Sequence, residues 1–396
     1  MSSLVEEARA ACPGVDWTPV QPTTLVALES DGFPRLELRT LLDQHGDAPL
    51  LVVNDLARVI HCGLPQLLHE LRGLAPALQV LVATGTHAGD AAAEAARLGC
   101  PVLLHACDDA AAHVDVGGFA VDRRLLQASC VIGVGSVEPH YFAGWTGAHK
   151  TLSVGLWDRA TVQANHAHAC SLDARPLDAS DANPVAQGIR AGVRALVEQG
   201  PPALAVNHVL DPQGVPLAVG WGDPDAALEQ VTPLARARCA HEQADAVDVV
   251  VARVEGPLSR SLYQADKGVK NHEAVVKDGG LLVLVAELTD GLGPDRFVRL
   301  LEQAPTVEAA REVIARDGYT LGDHKALRWR ALEARGVRVV VASEGLDSAA
   351  VSAAGLRVVP SVAAALAGET FAPGATGLAV ADAGFVASQS TPATDP

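Results

Sequence analysis

Apolar runs alternate with helical patterns along the first half of the chain. Helices are predicted where apolar residues recur every three or four positions, over 64–74 and 91–98. Strands are predicted at short apolar runs bounded by turn residues, at 49–53, 79–83 and 130–134. This alternation is typical of βαβ units, so we expect a mostly parallel sheet flanked by helices.

A second series of the same kind begins near Asp245. Its predicted strands are 247–251, 280–285 and 337–341, and its predicted helix is 306–315. The charged stretch 234–246 is expected to be a helical connection between two domains. We therefore predict an α/β domain over 1–240 and a second over 245–374. The tail 375–396 is expected to return to the first domain through the apolar run 377–380.

The composition agrees with two cores and excludes some partners. The chain has 396 residues, of which 49% are hydrophobic and 19% charged, and this length exceeds what one core normally holds. A formal charge of −17, from 30 basic and 47 acidic residues, argues against a nucleic-acid partner. We also expect no membrane association, because the chain lacks a long apolar stretch and its first residues do not resemble a signal peptide.

Cysteine, lysine and histidine are distributed in ways that bear on location and chemistry. The seven cysteines form no CxxC pair, which predicts reduced thiols in a cytoplasmic protein. The chain has five lysines against 25 arginines, and Lys150 is the sole lysine in the first 266 residues. Nine of the 14 histidines lie between His61 and His168. Lys150 is therefore a candidate for a role that needs a compact amine able to lose its proton.

Polar side chains follow the first two predicted strands, at the edge where parallel α/β sheets bind ligands. After the first strand, Arg58 could grip a carboxylate with two hydrogen bonds beside Asp55; the alternative is a surface ion pair. After the second strand, Thr84-Gly-Thr-His87 offers an imidazole whose reference pKa lies near neutrality. His87 is thus a general-base candidate, and the alternative is a turn or capping histidine.

Two glycine-containing segments follow the third strand. Gly133-Val-Gly-Ser-Val-Glu138 matches only part of a dinucleotide fingerprint, because Glu138 replaces the third glycine and Pro139 interrupts the helix start. The segment from His140 to Lys150 lacks the Walker spacing, but its glycines and threonine favour a loop that cradles a phosphate. The alternative for this second segment is an ordinary strand-to-helix turn.

Two more pairs are candidates for metal and ligand binding. Asn165-His166-Ala-His168 places two imidazoles in a spacing that suits nickel, zinc or copper. A zinc-dependent hydrolase stays open as an interpretation, although catalytic zinc normally needs three clustered protein ligands. Gln264 and Lys267 would share one face of a helix, and the alternative for them is a solvated helix surface.

Taken together, these segments resemble the nickel-pincer-nucleotide lactate racemase family, in order and in spacing, over roughly residues 50 to 330. The family's Asp-x-x-Arg and Thr-Gly-Thr-His are here Asp55-Leu-Ala-Arg58 and Thr84–His87. Its Pro-His-Tyr-Phe-Ala-Gly, with a lysine ten residues past the histidine, is here Pro139-His140 through Lys150. Its Asn-His and Gln-x-x-Lys are here Asn165-His166 and Gln264-Ala-Asp-Lys267.

The resemblance implies a 2-hydroxyacid racemase or epimerase whose active site lies in the cleft between two α/β domains. In such an isomerase, the C2 hydrogen leaves as hydride, a 2-keto acid forms, and two histidines alternate as acid and base. His87 and His140 would be those catalytic histidines, in the N-terminal domain. The resemblance further implies that the substrate is bound by Asp55, Arg58, Gln264 and Lys267, and the cofactor by Lys150, His166, Thr86 and Gly147.

The implied cofactor is the nickel-pincer nucleotide, pyridinium-3-thioamide-5-thiocarboxylic acid mononucleotide. His166 would be the one protein ligand to nickel. Lys150 would bind the nucleotide, and in some members the corresponding lysine tethers it covalently. The implied partners are a small 2-hydroxy acid and the proteins that build the cofactor, and the sequence is compatible with a homo-oligomer.

This sequence departs from the family pattern in three places. Thr-Arg-Pro is here Ala57-Arg58-Val59, and Ser-Gly-Gly-Arg-Lys is here Thr146-Gly-Ala-His149-Lys150. The family often places a tryptophan against the cofactor near the region 319–329, where this chain has Gly322-Asp-His324-Lys325-Ala, and the sequence does not assign a residue to that role. These departures leave the identity of the hydroxy acid open.

Overall fold

The computed structural model describes residues 3–56, 58–178, 180, 182–346 and 354–390. These residues form two compact units. The first unit comprises Thr24–Ala169 and Asp173–Arg238. The second unit comprises Cys170–Leu172 together with the described residues of 1–23 and 239–396.

The strands are numbered in chain order. They are β1 (Asp16–Val20), β2 (Leu50–Asn54), β3 (Gln79–Ala83), β4 (Leu103–Leu104), β5 (His113–Val116), β6 (Phe119–Asp122), β7 (Val131–Ser136), β8 (Pro139–His140), β9 (Gly144–Trp145), β10 (Ala203–Leu210), β11 (Pro216–Gly222), β12 (Ala240–Gln243), β13 (Val247–Arg253), β14 (Val276–Val285), β15 (Arg338–Ala342), β16 (Arg357–Val359), β17 (Thr376–Val380) and β18 (Ala387–Ser390).

The α-helices are numbered in the same way. They are α1 (Leu4–Ala11), α2 (Arg35–His45), α3 (Leu64–Leu74), α4 (Ala91–Leu98), α5 (Arg124–Gln127), α6 (Ala148–Thr151), α7 (Arg159–Ala167), α8 (Pro184–Gln199), α9 (Pro224–Cys239), α10 (Leu262–Lys270), α11 (Asp295–Gln303), α12 (Val307–Asp317), α13 (Asp323–Ala334) and α14 (Val362–Leu366). Short 3₁₀ helices span Ala110–Ala112, His168–Cys170 and Gly256–Arg260.

The first unit is built on a six-stranded sheet in the order β11-β10-β7-β2-β3-β4. All neighbours in this sheet are parallel except β11, which runs antiparallel to β10. Alternate residues of the central strands, such as Leu51, Val53, Ile132 and Val134, pack with buried leucines of α2 and α3 in one core. Because successive side chains of a strand point to opposite faces of the sheet, the other face is available to pack against the elements that carry the candidate site.

The second unit is built on a fully parallel sheet in the order β1-β17-β13-β14-β15-β16. The predicted fold class, two domains with mostly parallel sheets flanked by helices, is therefore confirmed. Helices α3 and α4 and strand β3 have the predicted bounds. No helix in the described ranges is long and apolar enough to cross a lipid bilayer, and all seven cysteines are free thiols.

Two predictions about segment placement are wrong. The run 377–380 does not return to the first unit: it lies in β17, between β1 and β13 of the second sheet. An apolar run specifies a buried strand but not which sheet receives it, and the N-terminal β1 joins the second sheet for the same reason. The connection 234–246 is not one helix, because α9 ends at Cys239 and β12 follows at once and pairs with β18.

Candidate active site

A pocket lies at the carboxyl edge of the first unit's sheet, where parallel α/β sheets bind ligands. Its walls come from the residues that end or follow β2 and β3, from α6 with the residues before it, and from α7. Its empty volume, including the open mouth, is about 620 Å³. The structure brings seven of the ten predicted site residues to this pocket: Asp55, Arg58, Thr86, His87, Gly147, Lys150 and His166.

His87 and Asp55 form a hydrogen-bonded pair on the pocket wall. The Nδ1 of His87 lies 2.8 Å from Oδ2 of Asp55, and the side chains are 58% and 14% exposed. A carboxylate that accepts the Nδ1 proton fixes the tautomer, so Nε2 is left to accept a proton from a ligand. Asp55 was predicted as a substrate-binding residue, and the structure shows it as the partner of the candidate base.

Arg58 extends from the same loop and is held by an acidic residue 80 positions away. Its Nη1 donates to Oε2 of Glu138 at 2.9 Å, and both side chains are mostly buried. From the sequence alone, Glu138 is notable only because it replaces the third glycine of the dinucleotide fingerprint. Arg58 lines the pocket and Glu138 does not, so Arg58 is the cationic residue on that part of the wall.

Helix α6, which carries Lys150, lies directly against β7. A Cβ atom at Gly135 would be 2.3 Å from the backbone nitrogen of Ala148, and one at Gly133 would be 2.8 Å from Leu152. The buried amide of Asn207, on β10, accepts the Ala148 N–H at 2.7 Å. The two glycines of the partial fingerprint therefore make room for α6 rather than for a dinucleotide.

Lys150 and His140 are hydrogen-bonded to each other. The Nζ of Lys150 lies 2.6 Å from Nε2 of His140, and the Ala143 N–H donates to the ring's Nδ1 at 3.3 Å. The buried ring of Phe142 lies between these residues and α7: its centroid is 5.9 Å from the Lys150 amine and 4.9 Å from the ring of His166. His140 is thus connected to the pocket by its hydrogen bond to Lys150, which lines it.

His166 is held as a neutral imidazole. Burial, with a smaller contribution from the charge of Lys150, lowers the pKa of His166 to about 3. Its Nδ1 lies 3.2 Å from Oδ1 of Asn165, whose amide nitrogen donates to Val185. The Asn165 oxygen must therefore accept the Nδ1 proton, and Nε2 keeps its lone pair. A histidine that binds a metal needs one unprotonated ring nitrogen and a hydrogen-bond acceptor that holds the other, and His166 has both.

Three of the ten predicted site residues, His140, Gln264 and Lys267, do not line this pocket. His168 is exposed at the end of α7 and does not line the pocket, so the HxH pair is not brought together there. Gln264 and Lys267 lie on α10 of the second unit, one turn apart as predicted. Among the described residues, no three histidine, cysteine or acidic side chains cluster as a metal site, so the zinc hydrolase interpretation lacks its ligand set there.

In two of the three regions where the sequence departs from the family pattern, the structure shows a buried residue, His149 in one and Trp329 in the other. His149 is buried beside Lys150, and burial, with smaller effects of Arg190 and Lys150, lowers its pKa to about 3. Ala57 lies outside the described residues. In the stretch where a tryptophan was sought, Trp329 is 1% exposed and belongs to the core of the second unit.

Two family models match this chain. The model of the lactate racemase N-terminal domain matches residues 37–175, and that of the lactate racemase C-terminal domain matches residues 242–377. Together they cover more than two thirds of the chain. The chain belongs to the lactate racemase family.

Individual members of the lactate racemase family agree with this membership. The chain is 26% identical over 253 residues to the lactate racemase of Lactiplantibacillus plantarum, covering 60% of this chain and 59% of that protein. It is 28% identical over 198 residues to the lactate racemase of Thermoanaerobacterium thermosaccharolyticum, covering 48% and 43%. The matches thus span about half the length of these curated relatives.

Two solved structures share the fold. The apoprotein of the Thermoanaerobacterium thermosaccharolyticum lactate racemase superposes with a TM-score of 0.78 at 19% identity, covering 98% of this chain and 93% of that one. A protein from Thermotoga maritima superposes with a TM-score of 0.69 at 14% identity, covering 92% and 100%.

Sequence reasoning missed two residues that shape the site of this family member. Glu138 holds Arg58, and Asn207 holds the first turn of α6. A signal for Asn207 was present, because a polar residue in the otherwise apolar run of β10 must find a buried partner. The acidic residue directly after β7 was the corresponding signal for Glu138, at the edge where Arg58 was already expected.

Proposed function

We propose that this chain is an isomerase, a racemase or epimerase that inverts the C2 carbon of a 2-hydroxy acid through a 2-keto acid. The observation that supports it best is one pocket lined by His87, Arg58, Lys150 and His166 in a member of the lactate racemase family. Each of these groups has a separate task in that reaction.

His87 acts as the acid and base for the hydroxyl proton of one enantiomer. Its Nε2 takes the proton when the keto acid forms and returns it when the hydroxy acid is restored. Asp55, 2.8 Å from Nδ1, stabilises the imidazolium that exists between the two events. A positioned acid or base of this kind contributes a factor of about 10² to 10⁴ to the rate.

His140 has the same role towards the opposite enantiomer. A planar keto acid can be reduced on either face, so restoring both hydroxy acids requires a proton donor for each orientation of the oxygen. The hydrogen bond between His140 and Lys150 supports this assignment, because it links the buried His140 ring to a residue that lines the pocket.

Arg58 binds the substrate carboxylate. A guanidinium presents several N–H donors in one plane and binds a carboxylate through two parallel hydrogen bonds. Asp55 acts through His87 in this proposal rather than by contacting the substrate. The substrate-binding roles of Gln264 and Lys267 stay predictions from the resemblance.

The pocket fits the nickel-pincer nucleotide. His166 offers an unprotonated ring nitrogen for nickel, and Lys150 offers an amine in the same pocket. Thr86 and Gly147 also line the pocket, and they belong to glycine- and threonine-containing turns of the kind that can cradle a phosphate. When bound, this cofactor supplies an electrophilic carbon that accepts the C2 hydrogen as hydride. We also propose that dedicated proteins build the cofactor and that the enzyme works in the cytoplasm.

A chiral assay of cofactor-loaded protein tests the proposal. The chain is co-expressed with the cofactor-building proteins, purified, and incubated with single enantiomers from a panel of 2-hydroxy acids. We expect chiral chromatography to show conversion of at least one acid into its C2 epimer. His87→Asn should slow this conversion at least about 100-fold, whereas His69→Asn, on the exposed face of α3, should leave it unchanged. Nickel-loaded protein that converts no acid in the panel would overturn the proposal.

A further inference from the structure

The ion pair between Arg58 and Glu138 joins two loops at the carboxyl edge of the first sheet. Arg58 follows β2 and Glu138 follows β7, and these strands are neighbours in the sheet. The Nη1 to Oε2 distance is 2.9 Å, and the side chains are only 21% and 19% exposed. Solvent and salt screen the charges of a surface pair, so the attraction between Arg58 and Glu138 is stronger than in an exposed pair and keeps the two side chains in place.

Glu138 is itself fixed on a rigid part of the site. Its backbone N–H donates to Oγ1 of Thr146 at 2.8 Å, and its carbonyl oxygen accepts the Thr146 N–H at 2.8 Å. The Thr146 hydroxyl also donates to the carbonyl oxygen of Ser136, the last residue of β7, at 2.7 Å. Thr146 lines the pocket, so the Glu138 backbone is anchored to the same turn that precedes α6.

We propose that Glu138 is a positioning residue, which fixes the Arg58 guanidinium as the receptor for the substrate carboxylate. This inference rests on the proposed function. Arg58 lines the pocket and Glu138 does not, so Glu138 acts through the arginine without touching the substrate. An arginine anchored through Nη1 presents its remaining donors in one orientation, and binding then costs less rotamer entropy than it would for a free side chain.

The test is a comparison of KM and kcat among variants of the cofactor-loaded enzyme. Glu138→Gln keeps the size and one oxygen acceptor but removes the charge. We expect it to raise KM for the hydroxy acid about ten- to a hundredfold, the range for a lost charged hydrogen bond, with kcat changed less than about threefold. Glu138→Asp keeps the charge on a shorter side chain and should recover part of the loss.

Two controls separate positioning from a general structural effect. Glu70→Gln removes another glutamate that pairs with an arginine, Arg35, at 2.9 Å in the same unit. It should leave both constants unchanged. In an Arg58→Ala background, Glu138→Gln should add nothing, because the group that it positions is gone. Additive effects in the double variant, an unchanged KM in Glu138→Gln, or a lower KM because a repelling charge was removed, would each overturn the inference.

Calorimetry with oxalate distinguishes failure of this inference from failure of the proposed function. Oxalate resembles the planar keto acid and needs no turnover, so the change of its Kd between wild type and Glu138→Gln reports on binding without the chemical step. We expect Glu138→Gln to weaken oxalate binding by the same factor as KM. If the loaded wild type binds oxalate but converts no hydroxy acid, the proposed function fails while the positioning role stands. Equal binding by wild type and Glu138→Gln, or no oxalate binding by the wild type, would refute the positioning role.

Discussion

Asp55 shows how the role of one side chain depends on a neighbour far away in sequence. Its spacing to Arg58 suggests a pair that grips a ligand, but its carboxylate lies 2.8 Å from the ring of His87, 32 positions further on. The two residues meet because β2 and β3 are adjacent and parallel, so their following loops share one edge of the sheet. The pair gives an exposed histidine a defined tautomer, which the proposed role as a base requires.

Asp55→Asn should therefore impair chemistry more than binding. The amide can donate to Nδ1 and so favour the wrong tautomer, which removes the lone pair from Nε2. We expect kcat of the loaded enzyme to fall about 10²- to 10⁴-fold, with the unfolding midpoint little changed. Asp108→Asn is the matched control, since that carboxylate is 68% exposed and pairs with Arg159. An Asp55→Asn enzyme within a few-fold of wild type would contradict the role given to this carboxylate.

Residue types at strand ends were predictable from sequence, and their partners were not. Arg58, His87 and Lys150 stand out because each is a reactive type placed after a predicted strand or glycine turn. The hydrogen bonds from Arg58 to Glu138 and from Ala148 to Asn207 depend on β7 lying between β2 and β10. That strand order is a long-range property which local spacing does not contain.

At the scale of elements, the contact between α6 and β7 decides where Lys150 lies. The helix has only four residues and buries three of them against the sheet, so its own hydrogen bonds cannot hold it in place. Gly133 and Gly135 provide the close approach, and Gly147, with φ of 138°, begins the helix in a conformation that favours glycine. The candidate cofactor lysine is thus placed by three glycines.

Gly135→Ala should destabilise the first unit and displace α6. The new Cβ would lie 2.3 Å from the backbone nitrogen of Ala148, and a backbone atom cannot move aside as a flexible side chain can. We expect the free energy of unfolding in urea to fall by at least about 2 kcal/mol. Gly73→Ala is the control, because a Cβ there meets nothing within 4 Å and the site lies in α3. It should be neutral or stabilising by up to about 1 kcal/mol. Equal stabilities of the two variants would refute the close-contact explanation.

The bounds of several elements followed from local patterns alone. Helix α4 begins with Asp90 as an N-cap and ends at Gly99, which has a left-handed conformation, so both ends are marked in the sequence. The stretch 234–246 misled the prediction because its charges continue past Cys239, although the backbone there becomes strand β12. Pairing with β18, nearly 150 residues away, overrides the local helical preference.

At the scale of the whole chain, the sequence indicated two α/β units but not how the termini are distributed. Residues near both ends, in β1 and β17, complete the second sheet beside β13. Hydrophobic periodicity does not reveal that strands from the two ends of the chain join the same sheet, because each strand alone is only a short apolar run. Family membership, by contrast, followed from five spaced motifs and agrees with the matching family models.

In the proposed function, the pocket around His87 and Lys150 binds nickel through His166 as part of a nucleotide. This proposal can be tested by anomalous diffraction at the nickel edge from crystals of cofactor-loaded protein. We predict one nickel peak within bonding distance of Nε2 of His166, and its loss in His166→Ala crystals. A nickel peak away from His166, or a peak that persists in crystals of loaded His166→Ala protein, would show that His166 is not the nickel ligand.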